Sequence, residues 1–167
     1  MNQLTALSLS IAVLGGLWVF LALGPLSGLV LVWAGFIAWG CYFHTGGDAA
    51  ALKKTIAGMI YGAILAGVAL FLLGTNPLHL PAVAAAPVYV AVTVFFLVIV
   101  AGCNLLSVVP ANVYGYAATV AYAVQTANAP LVTDLIMANP VIVLSLSFVL
   151  GAVLGMLSGK LAGVLGK

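Results

Sequence analysis

Side chains that move protons, attack a substrate or hold a metal are scarce in this chain. They amount to Asp48 and Asp134, His44 and His79, Cys41 and Cys103, and four lysines, with no glutamate or arginine. Catalysis needs such groups side by side, and the topology read below puts the two aspartates on opposite faces of the membrane. His44 and Asp48, four residues apart, would share a helical face and offer half a cation site. Metal sites want three or four ligands, and Thr45-Gly46-Gly47 between them reads as a turn. A polar membrane-edge loop, with Asp48 near the start of a short helix leading to Lys53 and Lys54, fits better. Cys41 and Cys103 lie within or at the edge of apolar runs, with no activating cation, and read as buried free thiols. No glycine-rich loop follows a strand, so nothing cradles a phosphate. These residues point away from an enzyme and require neither cofactor nor metal.

The elements that carry them are set by composition. Of 167 residues, 66% are hydrophobic and 4% charged; a soluble domain has roughly a quarter charged residues. So few charges cannot cover a water-facing surface, and disorder needs the opposite bias. The solvent of this chain is mostly lipid. A net charge of +2 without a basic cluster argues against nucleic acid as a partner.

A hydrocarbon layer about 30 Å thick needs about 20 helical residues per crossing, which leaves room for six. Six apolar runs occur: Leu4 to Leu23, Leu26 to Phe43, Thr55 to Leu73, about Val83 to Cys103, Ala111 to about Val124, and Pro140 to about Leu157. The first lacks the basic flank of a signal peptide and is too long for one, so it is kept as a membrane helix. Lysines favour the cytoplasmic side of a membrane. With six crossings Lys53, Lys54, Lys160 and Lys167 share one face, together with both termini, while Asn76, His79, Asp134 and Asn139 fall outside. Asn76-Pro77 and Asn139-Pro140 then lie on one face and cannot meet at mid-membrane as aquaporin half-helices do; they read as turn and helix-start signals.

Small residues recur every fourth position in two runs: Gly58, Gly62 and Ala66 in the third, and Ser147, Gly151, Gly155 and Gly159 in the sixth. Such ladders let another helix approach closely. Gly62-Ala63-Ile64-Leu65-Ala66 matches Gly151-Ala152-Val153-Leu154-Gly155. Likewise Ala38-Trp39-Gly40-Cys41 lines up with Gly115-Tyr116-Ala117-Ala118. The expected architecture is one all-α membrane domain over residues 1–167, built as a 3+3 inverted-topology repeat, about 4–73 and about 83–160. Such repeats place a solute site where the halves meet. Asn112, Tyr116 and Thr119 share a face of the fifth run, and their partners Gly35, Trp39 and Tyr42 share a face of the second. With Asn104 near the inner mouth, Trp39, Tyr42, Asn112, Tyr116 and Thr119 are the candidates to line a weakly polar passage. The plainer reading makes the aromatics packing residues and Asn112 a cap on the fifth helix.

The stretch Asn104 to Thr119, NLLSVVPANVYGYAAT, resembles the LLSFVPGxFxGxxAT element of small bacterial inner-membrane proteins known as domain of unknown function 1097. Gly35-Phe36 and Tyr42-Phe43 resemble the same family's first half, while Ala111 and Val113 depart from its glycine and phenylalanine. The resemblance implies a six-span bacterial inner-membrane protein and supports the duplication, but brings no established activity.

With no intramembrane carboxylate to couple ions and no nucleotide motif, the expected function is a channel or passive facilitator. Its solute would be small and neutral or weakly charged: urea, ammonia, a short amide or a small acid. The alternative is a membrane anchor or regulatory subunit that docks through the small-residue ladders. So short a chain encloses little space alone, so a homo-oligomer is expected, with a trimer suggested by analogy to other small-solute channels.

Overall fold

The computed structural model describes residues 1–166; Lys167 lies outside the described residues. The described chain is helical, with α1 (Gln3–Leu23), α2 (Val32–His44), α3 (Ala49–Thr75), α4 (Ala82–Ile99), α5 (Val109–Gln125) and α6 (Pro140–Leu165). Short 3-10 turns occupy Val100–Gly102, Asn104–Leu106 and Ala129–Thr133. Side chains start three of the helices. Asn2 Oδ1 accepts from the Thr5 amide (2.8 Å), Asp48 Oδ1 from Ala51 (2.6 Å) and Asn139 Oδ1 from Val141 (2.8 Å), satisfying amides that have no partner within the helix.

Among the described residues, four segments are long and apolar enough to cross a membrane: α1, α3, α4 with its following turn, and α6. The other two are shorter. α2 has 13 residues, about 20 Å of helix, because the apolar run that begins at Leu26 spends residues 26 to 31 outside the helix, turning around Gly28, whose φ is +79°. Two helices exceed their apolar runs. α3 starts at Ala49 as one continuous helix through Lys53 and Lys54, without a separate short helix, and α6 runs on through Lys160 to Leu165. Lysines near a helix end can reach the interface without ending the helix.

Neighbouring contacts give the helix directions. Lys54 Nζ donates to Ser107 Oγ (3.1 Å) at the start of α3 and α5, and Leu70 and Val124 share a cleft at their far ends, so these two helices are parallel. The Leu31 amide donates to Ser147 Oγ (2.9 Å), and Trp39 Nε1 donates to Ser158 Oγ (3.0 Å), so α2 and α6 are parallel too. α1 runs against α6, with the Met1 amino group on the Leu165 carbonyl. α4 runs against α3, with Tyr61 Oη on the Phe96 carbonyl (3.0 Å).

The most extensive pairings are α3 with α5 and α2 with α6, followed by α3 with α6 and α1 with α6, and then α3 with α4. Two three-helix groups result, α1-α2-α6 and α3-α4-α5, joined mainly along an α3–α6 seam. Ala34 and Ala38 of α2, Met59 and Ala63 of α3, and Leu144 and Phe148 of α6 fill the common core with no more than trace exposure. α1 and α4 turn outward large apolar side chains such as Phe20, Phe95 and Ile99, a surface suited to hydrocarbon.

Candidate functional site

Glycine at the crossings lets the backbones of the core helices touch. A Cβ on Gly151 would fall on the backbone of Gly35, within 3.0 Å; one on Gly62 would fall on the Asn112 carbonyl, and one on Gly115 on Met59. Gly155 seats the rings of Tyr42 and Trp39, Gly159 lies beside Phe43, and Ala66 packs in a buried cluster with Tyr116. The residues Gly58, Gly62, Ala66, Gly151, Gly155 and Gly159 are thus spent inside the chain, against α5 and α2, and leave no ladder free for an outside partner.

The two polar stripes do not face one another. α2 and α5 touch only slightly; Trp39 and Tyr42 turn toward α6, whereas Asn112 and Tyr116 turn toward α3 and α4. Apart from Asn112 Oδ1, their polar atoms find partners within their own group. Trp39 is buried with its indole on Ser158, and Tyr42 Oη donates to the Gly47 carbonyl. Tyr116 Oη and Thr93 Oγ1 share a hydrogen bond of 2.9 Å. Thr119 Oγ1 returns to the Gly115 carbonyl at 2.8 Å. Asn104 is exposed, and its carbonyl accepts from Ser107 Oγ (2.8 Å).

Asn112 does something other than cap α5. The helix begins at Val109, so Asn112 lies inside its first turn, and Val108 takes the capping position without a side-chain bond. Its Nδ2 instead donates to the Leu97 and Leu106 carbonyls, both at 3.1 Å. α4 ends at Ile99, which frees carbonyls that would otherwise continue the helix. Asn112 takes one and Tyr61 takes its neighbour Phe96. An open carbonyl in hydrocarbon is costly, so the irregular stretch from 100 to 108 is held at both ends by one amide. Asn112 Oδ1 is buried and has no hydrogen-bond partner. A Cβ on Gly58 would lie 2.7 Å from it, so glycine there is what leaves this oxygen its room.

His44 and Asp48 flank a glycine turn. His44 is exposed with its ring edge-on to Tyr114, centroids 6.4 Å apart, and Asp48 is engaged as the α3 cap. Among the described residues no three His, Cys, Asp or Glu side chains come together. Cys41 is buried as expected, but Cys103 is exposed in the turn after α4.

Two clefts open at the end of the molecule opposite the lysines. One, about 650 Å³, lies between the last turns of α3 and α5 and the segment 129–133, lined by Leu70, Phe71, Val124 and Pro130. The other, about 390 Å³, lies between α3 and the start of α6, lined by Gly67, Phe71, Val132 and Val141. Neither the clefts nor the side chains that shape them were read from the sequence. Nor were Ser158, Thr93 and Tyr61, whose roles depend on which helix they meet.

Fold and composition define an all-helical membrane protein. The family profile of proteins of unknown function named DUF1097 matches residues 8–163, and the chain belongs to that family. No curated protein and no solved structure matches it.

Proposed function

We propose that this protein is a passive facilitator for a small neutral or weakly charged polar solute such as urea, ammonia, a short amide or a small acid. In this reading six crossings form two oppositely threaded triplets, α1–α3 and α4–α6, in a bacterial inner membrane with both chain ends cytoplasmic. One observation carries it. Exchanging α1, α2 and α3 for α4, α5 and α6 preserves the set of helix pairings. It also maps the Gly151–Gly35 contact onto the Gly62–Asn112 contact, in the register that the sequence repeat implies. Inverted halves of this kind supply a pathway at their meeting line in other membrane proteins.

The meeting line is the α3–α6 seam rather than a gap between the polar stripes. Its middle is closed by Met59 and Phe148, both fully buried and equivalent in the repeat. Passage therefore needs these side chains or their helices to part. Trp39, Tyr42, Asn112, Tyr116 and Thr119 fix the helices that form the walls, and Asn104 stands at the lysine-bearing end. The chain supplies no glutamate, and neither aspartate lies within an apolar run, which favours passive flow over ion-coupled transport. Enzymatic activity and a cofactor have no place in this proposal; a homo-oligomer, taken as a trimer, does. Docking through the small-residue ladders is disfavoured because α2 and α5 already occupy them.

The test is uptake of urea, acetamide, methylammonium and acetate into liposomes that contain only this protein. Uptake of at least one above empty vesicles, lost in Gly151→Leu, is expected. A panel indistinguishable from empty vesicles would overturn the facilitator reading.

A further inference from the structure

The halves differ most in one place. The link between α2 and α3 is only residues 45 to 48, whereas the equivalent link between α5 and α6 runs from 126 to 139. The added length does not hang free. Its 3-10 turn, Ala129–Thr133, packs on α3 and also touches α6 and α5, and so sits at the end of the α3–α6 seam opposite the lysines. Val132 and Thr133 line both clefts, and Phe71 of α3 lies beneath both. The two clefts are one groove over α3, divided by this strap.

The strap is fixed at one end and strained at the other. Asn139, 4% exposed, donates through Nδ2 to the Val132 carbonyl (3.1 Å) and the Asp134 carbonyl (2.9 Å). Through Oδ1 it also caps α6. At the other end Ala127 takes a φ of +58°, a conformation that L residues rarely adopt. Between these points the strap's tip turns Leu135 out at 94% exposure. Near that hinge the side-chain tie to α5 is a long one, Asn128 Nδ2 donating to Tyr122 Oη at 3.5 Å; a segment clamped chiefly by Asn139 and strained at its hinge can leave its seat without unfolding either helix.

We propose that residues 126 to 139 form a movable cover on the outer end of the α3–α6 seam, latched by Asn139. This rests on the facilitator reading for its purpose, though not for its test. Asn139→Asp keeps the oxygen that caps α6 and removes both donors to the strap. In a Cys103→Ser, Leu70→Cys background, the thiol sits in the cleft wall at a position 7% exposed in the native chain. With the latch removed, labelling by a membrane-impermeant maleimide should quicken about tenfold. Hydrogen exchange of residues 129 to 134 should quicken with it while α3 and α6 hold.

Unchanged labelling overturns the cover. So does exchange that quickens throughout α3 and α6, since Asn139 would then merely hold the fold together. Urea uptake by the same variants separates the two proposals. Faster labelling with uptake at the empty-vesicle level keeps the cover and removes the facilitator; unchanged labelling removes the cover whatever the uptake.

Discussion

Gly151 and Gly35 meet backbone to backbone: a single methyl on Gly151 would overlap the Gly35 carbonyl. This contact, between residues far apart in sequence, sets how closely α2 lies along α6, and the Gly62–Asn112 contact does the same for α5 along α3.

Replacing Gly151 with alanine should therefore destabilise the protein by about 1–3 kcal/mol, the usual range for overpacking, because backbone cannot swing aside as a side chain can. Gly40 and Gly163 have nothing within 4 Å of an added Cβ. Alanine there should be neutral or stabilising by up to about 1 kcal/mol through helix propensity. Thermal unfolding of the three variants in detergent checks both signs at once. A Gly151→Ala protein as stable as the parent would contradict the crossing.

Asn112→Ala should leave the Leu97 and Leu106 carbonyls without their donor. The expected loss is about 1–3 kcal/mol for each buried group left unpaired, with faster hydrogen exchange confined at first to residues 100 to 108. Gly58→Ala should act in the same direction by crowding Oδ1. Exchange that rises equally in all helices would show that Asn112 does not act locally.

Trp39 and Ser158 form a side-chain link between α2 and α6. A double-mutant cycle of Trp39→Phe and Ser158→Ala should return a coupling near the ~0.6 kcal/mol average for such bonds in membranes. Thr93→Val with Tyr116→Phe, the side-chain pair between α4 and α5, should return a similar value. Additive effects in both cycles would mean that these bonds are geometric only.

The sequence displayed these features unevenly. α1 is legible almost to the residue because Gly24-Pro25 ends its apolar run and Asn2 caps it. The start of α2 is not, because Leu26 to Leu31 keep the hydropathy high while the chain turns around Gly28. The ends of α3 and α6 are hidden by lysines, which break an apolar pattern without breaking a helix. The ladder spacing shows where backbones cross, since only small residues allow it. Partners are another matter. Periodicity puts Asn112, Tyr116 and Thr119 on one face but does not say that α3 and α4 cover that face. One stripe pattern therefore suits an opening or a contact, and here Asn112 and Tyr116 meet α3 and α4. The strap was invisible for a related reason: Gln125 to Asn139 reads as a polar connection, and only folding lays it across the seam.

The most direct test of the account is the rate of urea exit from protein-containing vesicles, followed by light scattering in a stopped flow, for the wild type, Met59→Ala and Phe148→Ala. If solute passes along the α3–α6 seam, shortening either side chain at its closed middle should speed exit several-fold over the wild type, and Gly151→Leu should abolish it. Exit at the empty-vesicle rate from all three, with the proteins folded, would contradict the seam as a route.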